Sequence, residues 1–199
     1  MLTASCTSGG NGPPPSPVTT PPSPSSTAPA YTCEPLDSLT LGKTITIGPP
    51  PGSSYQPPLM DIAAHPFTLA NNTTTANGHA KTENSGKAGG SGVEIRVNNL
   101  TLSISRGFGQ VLRRVRFSFG EYGGNINVSA NNQLVNVDNF SALHRKTIGG
   151  VEATVLSGGL GHDNGVIEFS GTMRDQQNGL GQLAVGGQEL WIDDICFEQ

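Results

Sequence analysis

The chain has 199 residues, 34% hydrophobic and 13% charged, and its 27 Gly and 15 Pro make it Gly-rich yet foldable. A formal net charge of -4 argues against a nucleic-acid partner, and no apolar run approaches the roughly 18 residues of a membrane-spanning helix. All charge lies from Glu34 onward. Residues 1–30 hold eight Pro and eleven Ser or Thr, too little apolar surface to offset chain entropy, and read as a flexible linker. At roughly 3.1 Å per residue in extended polyproline geometry, residues 7–30 can hold a domain up to about 70 Å from an anchor at Cys6. Residues 31–199 suffice for one domain with its own core.

From residue 39 onward period-two alternation dominates, and no window of helical length shows helical spacing. Leu39, Leu41, Ile45 and Ile47 share one parity. Residues 48–58 form a Pro-stiffened loop around Tyr55, and residues 71–92 read as a long polar loop, a length that is usually functional or disordered. Val93, Ile95 and Val97 alternate with Glu94 and Arg96, which are expected to face water. Asn98-Asn99 shifts the phase before Leu100, Leu102 and Ile104. Further strands are expected at 111–119, 124–129, 133–137, 151–156, 166–170, 182–185 and 189–197, separated by Gly, Asn and Asp turn clusters. About ten short strands in one domain predict an all-β fold, a two-sheet antiparallel β-sandwich of jelly-roll type.

The three cysteines divide as one plus two. Cys33 and Cys196 bracket the domain, where the ends of a sandwich are often neighbours, and a disulfide between them is expected in an oxidising compartment. Cys6 stands apart. Thr3-Ala4-Ser5-Cys6 resembles the end of a bacterial lipobox, which implies diacylglycerol on Cys6, with the basic and apolar segments of a signal peptide expected upstream of Met1. A lipid followed by a Pro/Ser/Thr spacer is the plan of a surface lipoprotein. The sequons at Asn71, Asn72, Asn99, Asn127 and Asn139 are then read as chance in an Asn-rich chain.

Three segments carry a further resemblance: Gly89-Gly90-Ser91-Gly92-Val93-Glu94, Phe119-Gly120-Glu121-Tyr122-Gly123-Gly124-Asn125 and Gly187-Gln188-Glu189-Leu190-Trp191-Ile192-Asp193-Asp194. Together they resemble a β-sandwich module that recurs in secreted bacterial proteins and has no established activity. The closing Trp191-Ile192-Asp193-Asp194-Ile195-Cys196-Phe197 is similar to the last strand of calcium-binding jelly-roll carbohydrate modules. That resemblance implies a structural calcium at Asp193 and Asp194.

No catalytic constellation is legible: there is no Gly-x-Ser-x-Gly elbow, no His-Glu-x-x-His and no P-loop, and Glu121, Glu168 and Glu189 lack the spacing of sandwich glycosidases. His65, His79, His144 and His162 are isolated and read as solvated loop residues. Trp191, in an apolar strand, reads as core. Tyr55 and Tyr122 sit in Pro- and Gly-rich loops where an aromatic face can meet a sugar, with Glu121 and Asn125 as hydrogen-bonding neighbours of Tyr122. Arg106, Arg113, Arg114 and Arg116 concentrate positive charge in one hairpin, as a solvated strand face or a docking patch for an acidic partner.

Parity places one charge toward the core in each of two strands: Arg113 with Val115, Phe117 and Phe119, and Asp193 with Trp191, Ile195 and Phe197. Three solutions stay open: a buried Arg113–Asp193 ion pair, a cation on Asp193, or a β-bulge that reverses parity. The expected function is a non-catalytic extracytoplasmic lipoprotein, membrane-anchored through Cys6, whose sandwich binds an envelope protein or a polysaccharide. A structural accessory subunit of a membrane-associated assembly and a sandwich-fold polysaccharide-degrading enzyme are the alternatives.

Overall fold

The computed structural model describes residues 30–34, 36–47, 60–105, 111–171 and 179–198. The linker with Cys6, the loop around Tyr55, and Arg106 lie outside the described residues. In chain order the strands are β1 (Thr32–Glu34), β2 (Thr44–Ile45), β3 (Asp61–Thr68), β4 (Thr74–Thr75), β5 (His79–Glu83), β6 (Glu94–Asn98), β7 (Leu100–Ser105) and β8 (Arg114–Glu121). They continue with β9 (Ile126–Ala130), β10 (Gln133–Val137), β11 (Lys146–Ile148), β12 (Val151–Ser157), β13 (Asp163–Gly171), β14 (Leu183–Gly187) and β15 (Leu190–Glu198), with one 3-10 turn at Phe140–Leu143.

These strands form two antiparallel sheets packed as a β-sandwich. The larger runs β11-β12-β13-β8-β15-β6-β5-β2, with β1 beside β15, and the smaller runs β10-β9-β14-β7-β3-β4. The chain crosses between sheets at β2–β3, β4–β5, β6–β7, β7–β8, β8–β9, β10–β11, β13–β14 and β14–β15, the jelly-roll manner. Alternation explains the layering. Val115, Phe117 and Phe119 of β8, Ile126 and Val128 of β9, Leu100, Leu102 and Ile104 of β7, and Ile167 and Phe169 of β13 all meet in one buried core. At its centre Phe117 stacks on Phe169 at 6.0 Å and Phe119 lies 4.4 Å from Phe140. Each such buried side chain contributes about 1.5–3 kcal/mol.

The phase shift at Asn98-Asn99 is the corner where the chain leaves the larger sheet for the smaller, with Asn99 at φ 47°. Cys33 and Cys196 face each other in the β1–β15 register and are joined by a disulfide.

Several expectations are corrected. Only Thr44–Ile45 of the 39–47 segment is strand, and Leu41 is 61% exposed. The polar segment 71–92 contains β4 and β5, and β5 pairs with β6 along its full length; its inward residues are only Ala80 and Thr82, too weak an apolar signal to read. β3 carries Pro66, which suits the flank of the sheet where only the short β4 follows.

Candidate functional site

The outward residues of the smaller sheet form the site. Inward Ile126, Val128 and Ala130 force Asn127 and Ser129 onto the opposite face of β9, and the same alternation turns Thr101 and Ser103 outward on β7. Register then aligns two rows across five strands: Leu134, Ser129, Ala184, Ser103 and Ala63, and beside it Asn136, Asn127, Gly186, Thr101 and His65. Neither row holds an Asp, Glu, Lys or Arg.

Because the outward positions of β14 are Ala184 and Gly186, a trough runs along that central strand between polar walls. Gly186 is required there: a Cβ would stand 2.4 Å from the Leu100 carbonyl oxygen and 2.6 Å from Thr101 Oγ1. The open groove measures about 210 Å³ and reaches from His65, Pro66 and Thr68 to Leu134 and Gln182.

Two amide oxygens of β9 and its approach are left over, those of Asn125 and Asn127. Asn127 is 1% exposed and lines the groove, yet its Oδ1 is buried with no hydrogen-bond partner, a state that costs a native protein free energy. Its neighbours are committed. His65 Nε2 lies 2.9 Å from Ser103 Oγ, and Asn136 Nδ2 donates to the Thr68 and Leu69 carbonyls at 3.0 and 3.3 Å.

The residues singled out beside Tyr122 do not assemble into one site. Glu121 is 2% exposed; its Oε2 accepts the Phe140 N–H at 2.8 Å and its Oε1 the Gly161 N–H at 2.7 Å, so it anchors two loops. Burial pushes its carboxyl pKa up, against those two donors. Tyr122 is half-buried, edge-on to Trp191 at 5.3 Å, and its hydroxyl donates to the Lys87 carbonyl at 3.4 Å. Asn125 is buried and donates to the Thr68 carbonyl at 3.4 Å.

The last strand resolves the misplaced charges through a bulge. Asp193 pairs with Ser118 but Cys196 with Arg116, so one extra residue enters β15, and Asp194 takes φ 49°. Parity reverses there: Ile192 and Ile195 both point inward, while Trp191 and Asp193 lie on the outer side. Trp191 is thus buried outside the main core, under Lys87 and Arg96, with its Nε1 donating to Glu83 at 2.6 Å. The Arg113–Asp193 pair does not form. Ser118, the register partner of Asp193, lies five positions along the chain from Arg113, about 16 Å of strand, and Arg113, 48% exposed, meets Glu198 at 4.0 Å. Arg114 meets Glu198 at 3.2 Å and Glu168 at 3.9 Å, and Arg116 stacks on Tyr31, so the described arginines at β8 have partners within the fold, and since β7 and β8 lie in different sheets they form no hairpin.

Asp193 instead faces other carboxylates. It is 2% exposed, and burial, then Asp194, Glu94 and Asp37, push its pKa up to about 7, against the one N–H it accepts from Asp194. A Cβ on Gly90 would stand 2.7 Å from Asp193 Oδ2 and 3.5 Å from Asp194 Oδ2. Glu94, expected in water, is buried and takes the N–H groups of Ser85, Lys87 and Ala88. Asp37 Oδ1 accepts the Val93 N–H. Asp193 Oδ2 and the Asp194 carboxylate remain as the hard oxygen donors calcium takes. Among the described residues no set of three or more His, Cys, Asp or Glu side chains is gathered to hold a metal, so backbone carbonyls would have to complete a shell.

A wider groove of about 460 Å³ crosses the outer face of the larger sheet over the Cys33–Cys196 disulfide. Its charged side chains are Arg116, already stacked on Tyr31, and Asp194.

No protein-family model matches the chain, and neither does any curated protein or solved structure.

Proposed function

We propose that this protein is a non-catalytic extracytoplasmic lipoprotein, anchored through lipid on Cys6, whose sandwich binds an envelope component at the outer face of the smaller sheet. The observation that carries the reading is the uncharged groove along β14 with the unpartnered amide oxygen of Asn127 in its wall. The outer face of the larger sheet carries Arg114, Arg116 and Glu168, so the two rows of the smaller sheet differ from it in charge. The disulfide supports an oxidising compartment. A calcium ion on Asp193 and Asp194 belongs to the same proposal as a structural part that relieves carboxylate repulsion.

The test is saturable co-sedimentation of the protein with washed envelope fragments of its organism. Competition by unlabelled protein is expected. Sedimentation that neither saturates nor competes would remove the reading.

A further inference from the structure

We infer that the groove along β14 takes a neutral, hydroxyl-rich glycan chain, with the carboxamide of Asn127 in its wall as a group that hydrogen-bonds a sugar hydroxyl; this rests on the binding face proposed above and names its ligand. Three observations converge on that chemistry. The two outward rows contain no fixed charge, so neither a uronate polymer nor a phosphate finds a counter-ion there, while Thr101 and Ser129 offer hydroxyls that donate or accept as a polyol requires. The Asn127 carboxamide lines the groove with its Oδ1 buried and unpaired, and once turned toward the trough it exchanges hydrogen bonds with a polyol, which removes the cost.

Size and shape add to this. At about 210 Å³ the groove is smaller than the roughly 300–1,000 Å³ of sites that enclose a small molecule, and it is open along its length, which suits one unit of a polymer lying across it. A protein partner fits less well. Interface cores favour aromatic and large apolar anchors, and among the described rows only Leu134, 48% exposed, is of that kind.

The experiment is affinity electrophoresis of the full-length, disulfide-bonded chain in gels cast with neutral polysaccharides (a β-glucan, a mannan, a galactan, a xylan and the neutral glycan fraction released from envelopes of its organism), with polygalacturonate as the acidic control. At least one neutral polymer is expected to retard the protein and polygalacturonate is not. Asn127→Ala should weaken retardation about tenfold or more without lowering the thermal unfolding midpoint, because it removes an unsatisfied group from the fold while leaving the sugar hydroxyl unpaired. Ser129→Trp, at a half-exposed position, should fill the trough and abolish retardation.

Retardation by no neutral polymer, by polygalacturonate alone, or unchanged in both variants overturns the inference. If no glycan binds but an envelope protein is captured and lost on Ser129→Trp, the ligand class is wrong and the binding face stands. Capture of envelope material that ignores Ser129→Trp overturns the face itself.

Discussion

At the scale of single residues the most consequential group is Asp193, because the fold sets it among like charges. Its carboxyl titrates at about 7 in the folded chain against 3.8 in the unfolded one. A folded pKa above the unfolded value means that the native state holds its proton longer. The associated stability is fully present below about pH 4 and is lost as pH rises toward about 7, a difference on the order of 4 kcal/mol at most. In the presence of a chelator, urea unfolding should therefore show this contribution falling between about pH 4 and 7. Asp193→Asn should flatten that slope and be the more stable protein at pH 8. Calcium, added back, competes with the proton for the same oxygens, so it should raise the unfolding midpoint more at pH 8 than at pH 5. Equal shifts at the two pH values, or none in the native chain, would count against a cation at Asp193 and Asp194.

At the scale of elements, carboxylates hold loops that hydrophobic contacts alone would leave loose. Glu121 closes the end of β8 by accepting N–H groups from the 3-10 turn at Phe140 and from Gly161. Glu121→Ala should leave both donors unpaired and cost about 2–4 kcal/mol in urea unfolding, with Glu121→Gln losing less and glycan retardation untouched in both. The same element shows where sequence reading reached and stopped. Strands with large alternating side chains, β7, β8, β9 and the start of β15, were legible because Leu, Ile, Val and Phe mark the inner face. β5 was not, since Ala80 and Thr82 carry its inner face, and Trp191 was misplaced because one bulged residue at Asp193–Asp194 reverses parity. The binding face was hidden for a different reason. Asn127, Thr101, Gly186 and His65 come from four strands, and only register makes them neighbours. Outward parity of Asn127 and Ser129 is the signal of it that the sequence carries.

For the molecule as a whole, the proposed tether makes demands on how the sandwich bears a pull. A chain anchored through Cys6 transmits any pull on the domain into β1, a strand of three residues that pairs only with β15. Three ladder positions hold weakly by themselves, but Cys33 is bonded to Cys196 across that ladder, so tension passes into β15, which lies between β8 and β6 in the body of the larger sheet. The bridge also closes a sequence separation of 163 residues, nearly the whole described domain. Removing it should cost about 2–5 kcal/mol, through greater freedom of the unfolded chain and the loss of an end clamp. Cys33→Ser with Cys196→Ser, or reduction of the native protein, should lower urea stability by that amount and expose the segment from Thr32 to Leu39 to protease before the core unfolds. Cys6→Ser should do neither: it should leave stability unchanged and move the protein from the membrane to the soluble fraction, since diacylglycerol supplies the two chains that stable anchoring needs. A chain that fractionates with membranes whether or not Cys6 is present would show that something other than this lipid holds it there.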